Sequence, residues 1–328
     1  MPLSRIVDAA MEATVVPSFT RIGPAVRSRL EGWTDLDDLD LTGRVVVVTG
    51  ANSGLGYAIA EQVARLGASL RITVRDDEKG TTTVARLVEA TGNHDISYGL
   101  LDVAHQDSVR AYARSFLAAH DRLDGLVHNA GAMFSQRREV DGVETTVAVH
   151  VVGPLLLTHE LLPALRASDH PARVVWMSSG GMYSEGLDVA RLESPDDYKP
   201  ATAYARAKRA QVVLAEELAA RLDEVVVHSM HPGWAATPGV ERSLPVFNRV
   251  LGPLLRDPAH GAETATWLVA SPKGAGRSGS FWLDRRPRSS ERVPGTRTTP
   301  DQRTRLWRTV TGLAGLTETA FGERRSPA

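Results

Sequence analysis

"RVVVVTGANSGLGYAIAEQVARLG", residues 44–67, changes its periodicity within one tight turn. Four valines and Thr49 form an uninterrupted apolar, β-branched run, which predicts a strand buried on both faces. From Gly54 the apolar positions recur every three or four residues, which predicts a helix. Between the two stand Gly50, Gly54 and Gly56, spaced GxxxGxG. Glycines there let the backbone turn sharply and approach a ligand, and the helix that follows offers N–H donors and the positive end of its dipole. The loop of Gly50, Asn52, Ser53, Gly54, Leu55 and Gly56 is therefore a predicted pyrophosphate cradle. A glycine turn serving only close strand-to-helix packing is the alternative, and the strand before and helix after favour the nucleotide.

Outward from this unit the pattern repeats. "SLRITV" (69–74), "ISYGLL" (96–101), "LDGLVH" (123–128), "RVVWMS" (173–178) and "EVVVHSM" (224–230) read as further buried strands. The stretches 76–92, 106–120 and 201–222 have helical spacing. Such alternation predicts an α/β fold of the Rossmann type, a doubly wound parallel sheet with helices on both faces, whose ligands sit beyond the carboxyl ends of the strands. Residues 1–42 read as an amino-terminal arm, 43–285 as the nucleotide-binding domain, and 286–328 as an irregular strap followed by a short helix over "DQRTRLWRTVTGLAG". In the arm, Asp8, Glu12, Pro17 and Pro24 interrupt a clean amphipathic face, so it is expected to pack on the body rather than lie on a membrane.

Composition narrows the function. The chain has 328 residues, 42% hydrophobic and 23% charged, with a formal net charge of −1. No concentration of Lys and Arg marks a nucleic-acid partner. The absence of cysteine excludes disulfides and thiol chemistry and is compatible with a cytoplasmic location. No apolar run approaches the roughly 20 residues that span a bilayer. His228 and His231 lie three apart without a third ligand, so no metal site is expected. At the end of the second strand, where an acid would hold a ribose hydroxyl, Val74 carries no carboxylate, and Arg75 beside it can pair with a 2′-phosphate. NADP(H) is thus expected in preference to NAD(H); Asp76 and Asp77 are expected to cap the next helix, with a place facing the ribose as their alternative.

"AYARAKRA" (203–210) places Tyr204 and Lys208 four apart on one helix face. The chain has four lysines against 34 arginines, so a lysine kept here suits a phenol and a ribose that need a compact, rotatable ammonium. Acting near neutral pH asks a phenol to ionise about 4 kcal/mol more easily than in water. An ammonium at roughly 6 Å supplies about 2.8 kcal/mol at an effective dielectric of about 20. The lysine is expected to lower the tyrosine, and a positive nicotinamide to supply the remainder.

With "TGANSGLG", "HNAG" and "MSSGGMY" ending the fifth strand, this order resembles the short-chain dehydrogenase/reductase family from about Arg44 to Asp284. The resemblance implies that Tyr204 is the acid or base, that Lys208 lowers its pKa and holds the nicotinamide ribose, and that Ser179 orients the substrate oxygen. It implies that Asp102 and Val103 contact adenine, that Asn129, Ala130 and Gly131 line the cofactor, and that Pro232, Gly233 and Thr237 border the carboxamide. His128 replaces an asparagine usual in "HNAG". His150 stands in place of the asparagine that is fourth in the family's catalytic set, and there it either holds a water through its carbonyl or impairs proton resupply. "VVWMSSGGMY", "SMHPGWAATPGV" and "GSFWLDRRPRS" resemble one branch of the family, a likeness that extends into arm and strap.

The reading is an oxidoreductase that interconverts a carbonyl and an alcohol with NADP(H). The small-molecule substrate is expected to be apolar, because Trp234, Leu244, Val246, Phe247 and Leu251 form a candidate lid, with packing on the sheet as their alternative role. A sensor or scaffold that binds NADP(H) without turnover is the alternative, and an epimerase or dehydratase is a third. Homo-oligomers through 145–165 and 202–221 are a further implication of the resemblance.

Overall fold

The computed structural model describes residues 3–196, 198–237, 239, 241 and 249–325. In β1 (Val45–Thr49) successive side chains enter different cores: Val46 and Val48 join one apolar cluster and Val47 the other. Period two on a strand sends neighbours to opposite faces, so an all-valine strand is what a sheet covered on both sides requires. Leu126 and Val127 divide in the same way, as do Val174 and Val175.

The other strands of the eight-stranded sheet are β2 (Ser69–Val74), β3 (Ile96–Leu100), β4 (Gly125–His128), β5 (Ala172–Met177), β6 (Val225–Met230), β7 (Phe281–Leu283) and β8 (Arg286–Arg288). Their order in it is β8-β7-β6-β5-β4-β1-β2-β3, and Glu139–Val140 and Val143–Glu144 form a separate antiparallel pair. Within the large sheet all pairings are parallel except β7 with β8. This is the Rossmann-type doubly wound sheet expected from the alternation. From β1 the chain builds outward to β3, then returns to lay β4 on the other side, so the topological switch lies between β1 and β4, where such sheets open a ligand crevice.

Numbered from the amino terminus, the helices that carry the argument are α1 (Leu3–Thr14), α2 (Val16–Phe19), α3 (Ile22–Glu31), α4 (Gly54–Arg65), α5 (Asp77–Thr91), α6 (Gln106–Ala119), α7 (Gly153–Glu160), α8 (Pro200–Ala219), α9 (Pro258–Ala270) and α10 (Pro300–Leu313). Among the described residues no helix is long and apolar enough to cross a membrane. Residues Ala148–Val152, just before α7, wind as a π-helix.

Two features differ from the sequence reading. Part of the irregular strap is strand: β8 pairs with β7 through a two-residue reversal in which Asp284 and Arg285 both have φ of 53°. Such turns are announced by Asn-Gly or Gly-Gly, and an Asp-Arg pair hides the signal. The arm is also held by charge as well as by apolar contact. Asp8 accepts hydrogen bonds from Arg27 (2.7 Å), Arg286 (2.6 Å) and Arg288 (2.6 Å), while Glu12 accepts from Arg27 (2.9 Å) and Arg292 (2.6 Å). The carboxylates that interrupt the amphipathic pattern are thus the groups that fasten the arm to the strap. Beyond the strap α10 opens with a capping box of Thr299 and Gln302, and its buried Trp307 lies under the Arg221 guanidinium at 3.8 Å.

Candidate active site

The glycine loop follows β1 directly. Gly50 and Gly54 have φ of 65° and 56°, a region that costs other residues energy. Gly56 is needed for space: a Cβ there would stand 2.3 Å from both the Gly50 carbonyl oxygen and Asn129 Nδ2. Asn129 braces this turn, with Nδ2 donating to the carbonyls of Thr49 (2.9 Å) and Gly50 (3.2 Å). The backbone N–H groups of Asn129 and Ala130 both donate to Thr49 Oγ1 at 3.0 Å. Asn129 was expected to line a cofactor, and the structure places its amide on the cradle itself. Ser53 makes no side-chain cap at the start of α4, so the first-turn N–H donors are not taken up by it. A tight glycine turn, an uncapped helix start and a braced floor are a donor set that fits a pyrophosphate.

Arg75 is exposed at the end of β2. Asp76 caps α5 by accepting from the Lys79 N–H (2.9 Å), and Asp77 accepts from the Tyr98 hydroxyl (2.8 Å). Asp102 Oδ1 accepts from the Ala104 N–H (3.0 Å), and Val103 is buried. After β6, Gly233 has φ of 76° and donates its N–H to His231 Nδ1 (3.0 Å), with Pro232 half-buried beside it; Thr237 accepts from the Glu241 N–H (3.0 Å).

β5 delivers Ser178 and Ser179, and α8 lies across its carboxyl end. Ser178 Oγ donates to the Lys208 carbonyl (2.9 Å), while Lys208 Nζ donates to the Met177 carbonyl (2.7 Å), so strand and helix are laced together from both sides. The Ser179 side chain acts on the Tyr204 phenol in favour of its ionised form. Ser179 Oγ also accepts from the Gly181 N–H (3.2 Å). Lys208 Nζ lies 5.4 Å from the centre of the Tyr204 ring. Ser179, Tyr204 and Lys208, 29 residues apart from end to end in the chain, therefore meet at one strand end.

Burial pushes Tyr204 above the ordinary tyrosine value, and the Ser179 side chain acts the other way. Burial also lowers Lys208 to about 7. Desolvation opposes the charged form of each group.

His150 sits in the π-helical turn with its ring edge-on to Tyr204, 5.3 Å between centres. Its Nε2 meets the Ala132 carbonyl at 2.8 Å, and because a carbonyl only accepts, that nitrogen carries the proton. Burial holds the ring well below the usual histidine value, and the Lys208 charge adds to this. Gly131 makes room for it, since a Cβ there would lie 2.4 Å from His150 Cε1. His128 and His228 are structural: His128 bonds Thr158 Oγ1 (2.7 Å) against Trp176 and is lowered to about 3 by burial, while His228 donates to the Gly274 carbonyl (3.1 Å). Among the described residues no group of three or more His, Cys, Asp or Glu side chains is placed to hold a metal.

Of the candidate lid, Leu244, Val246 and Phe247 lie outside the described residues. Trp234 is half-buried and packs edge-on to Phe19 of α2, 5.5 Å between centres. The sequence reading missed Phe19, Arg27, Arg256 and Asp284, and no local motif marks them.

A family model described as short chain dehydrogenase matches residues 44–245, which include the glycine loop, Ser179, Tyr204 and Lys208. The chain is a short-chain dehydrogenase/reductase. It is 36% identical over 256 residues to the human protein dehydrogenase/reductase SDR family member 12, covering 77% of this chain and 80% of the relative. Bovine retinol dehydrogenase 12 is 34% identical over 301 residues, covering 90% and 94% of the two chains. Among solved structures, an uncharacterized protein from Mycobacterium paratuberculosis superposes with a TM-score of 0.69 at 26% identity, over 87% of this chain and 98% of that one. Pseudomonas aeruginosa RhlG, solved as a complex with NADP, superposes with a TM-score of 0.62 at 25% identity, over 74% and 94%. Within this family the chain is an oxidoreductase for alcohol and carbonyl groups that uses a nicotinamide nucleotide.

Proposed function

We propose that this short-chain dehydrogenase/reductase interconverts a carbonyl and an alcohol on an apolar small molecule, with NADP(H) as cofactor and Tyr204 as acid and base. The observation that carries the reading is the gathering of Tyr204 and the buried Lys208 at the end of β5, with Lys208 Nζ 5.4 Å from the centre of the Tyr204 ring and bonded to the Met177 carbonyl beside Ser178 and Ser179. When bound, the nicotinamide supplies or accepts the hydride. Gly50, Asn52, Ser53, Gly54, Leu55 and Gly56 would hold the pyrophosphate, with Asp102 and Val103 toward adenine and Pro232, Gly233 and Thr237 toward the carboxamide. Arg75 supports a 2′-phosphate, because it is exposed while Asp76 and Asp77 are engaged elsewhere.

In the reductive direction Tyr204 donates its proton to the substrate oxygen while Ser179 hydrogen-bonds the same atom. A phenol pushed up by burial stays protonated at neutral pH, which suits a proton donor. An apolar substrate is supported by Trp234 and its aromatic neighbours, and by a relative named for retinol.

The test is to mix purified protein with NADPH and a panel of lipophilic aldehydes and ketones, following loss of the reduced nicotinamide absorbance. Turnover that falls about 10²–10⁴-fold in Tyr204→Phe, with NADPH binding retained, is the expected result. Tight NADPH binding, no substrate consumed and no effect of Tyr204→Phe would replace this reading with the non-catalytic sensor.

A further inference from the structure

The arm lies outside the residues that the family model matches, yet it reaches the turn that carries Ser179. We propose that Phe19 is a positioning residue of the active site, holding the Ser179 turn and the root of the segment after β6 in one arrangement. This rests on the reading of Ser179 as a substrate-orienting group.

Phe19 touches backbone as well as side chains at this point. A Cβ on Gly180 would lie 2.9 Å from Phe19 Cε2, so the ring rests on the bare α-carbon next to Ser179. The Gly181 N–H, one residue further, donates to Ser179 Oγ (3.2 Å), and a shift of this turn moves the hydroxyl with it. On its other sides the same ring meets His231 (4.4 Å between centres) and Trp234 (5.5 Å), both edge-on. Its main-chain carbonyl accepts from the Trp234 N–H (2.7 Å).

The same residues tie the described chain after β6 to the chain leading into α9. The Arg256 N–H donates to the Trp234 carbonyl (2.8 Å), the Ala236 N–H donates to the Arg256 carbonyl (2.8 Å), and the Arg21 N–H donates to the Leu254 carbonyl (3.0 Å). The buried Arg256 guanidinium holds the carbonyls of Ser18 (2.7 Å), Phe19 (3.1 Å) and Thr20 (3.2 Å). One aromatic ring thus stands between the Ser179 turn and Trp234 after β6, and Trp234 and Arg256 fix its own backbone in return. The chain accepts strain to put it there. Val15, at the junction of α1 and α2, has φ 60° and ψ −59°, a conformation costly for a β-branched residue.

The test compares Phe19→Ala and Phe19→Leu in the full chain by amide hydrogen exchange and by kinetics. In Phe19→Ala, exchange over residues 179–184 and 233–237 is expected to speed up about tenfold while residues 45–60 stay unchanged. The kcat for a carbonyl that the wild type reduces is expected to fall about tenfold or more, with the Kd for NADPH within about twofold of wild type. Phe19→Leu, which keeps most of the bulk, should recover much of both. Unchanged exchange in those two segments, or a rise of equal size everywhere, overturns the proposal; so does a kcat loss matched by a loss of NADPH affinity. Should Phe19→Ala not fold, Phe19→Val is judged by the same criteria. If the wild type turns over no carbonyl, the functional reading fails by itself and the exchange data alone decide the coupling.

Discussion

Around Gly50 the protein builds with main chain; around Asp284 it builds with side chains. In the cradle, carbonyls and N–H groups of residues 49–56 are shaped by absent Cβ atoms and braced by one amide, that of Asn129. In the clamp, the buried Asp284 carboxylate accepts from Arg256 at 2.5 and 3.0 Å and also pairs with Arg27, joining the β7–β8 turn, the arm and the chain before α9. The cradle draws mainly on residues adjacent in the chain. The clamp joins residues as far apart as 27 and 284. A backbone site tolerates little added volume, whereas a buried ionic site tolerates no unpaired charge.

Removing one charge from the clamp should therefore have the largest effect. Asp284→Asn leaves two buried guanidinium groups without their shared carboxylate, and chemical denaturation should report a loss of about 3–5 kcal/mol. The same carboxylate is held below its ordinary value by the two arginines against the opposing cost of burial. A depressed carboxylate contributes stability that is present above its unfolded value and lost as pH falls through the folded one, so acid should weaken the wild type and leave Asp284→Asn comparatively indifferent over that range.

The converse change belongs to the cradle. Gly56→Ala forces a carbon against the Gly50 carbonyl, and a cost of about 1–3 kcal/mol is expected, read as weaker NADPH binding in calorimetry with arm and strap unaffected. If it left affinity intact, the turn would not be the nucleotide site. Smaller again is Arg75→Ala, which removes an exposed charge. NADPH affinity should drop about tenfold relative to NADH, with no change in melting temperature. The finest test perturbs nothing: nitrogen NMR of the Lys208 ammonium group should find it titrating at about 7, charged below and neutral above.

The lysine marks where sequence reasoning met its limit. Tyr204 and Lys208 on one face followed from helical geometry, and their convergence with Ser179 was implied by the resemblance to the family. The direction of their pKa values did not, because it depends on how much solvent each loses, and α8 is laid over β5 more tightly than spacing can reveal. His150 is similar: its position is read off the chain, yet only the fold shows its proton turned to Ala132 and its ring received by Gly131.

The unbroken valine run, the glycine loop and the tyrosine–lysine spacing determined the doubly wound sheet and the end of it where chemistry gathers, since strand and helix periods and turn conformations are local properties. The tertiary structure alone decided which remote charges are buried together, which way the active-site groups are driven in pKa, and that Phe19 rests on the Ser179 turn. Those outcomes depend on desolvation and on contacts between residues more than a hundred positions apart, and no period or spacing in a single chain encodes either.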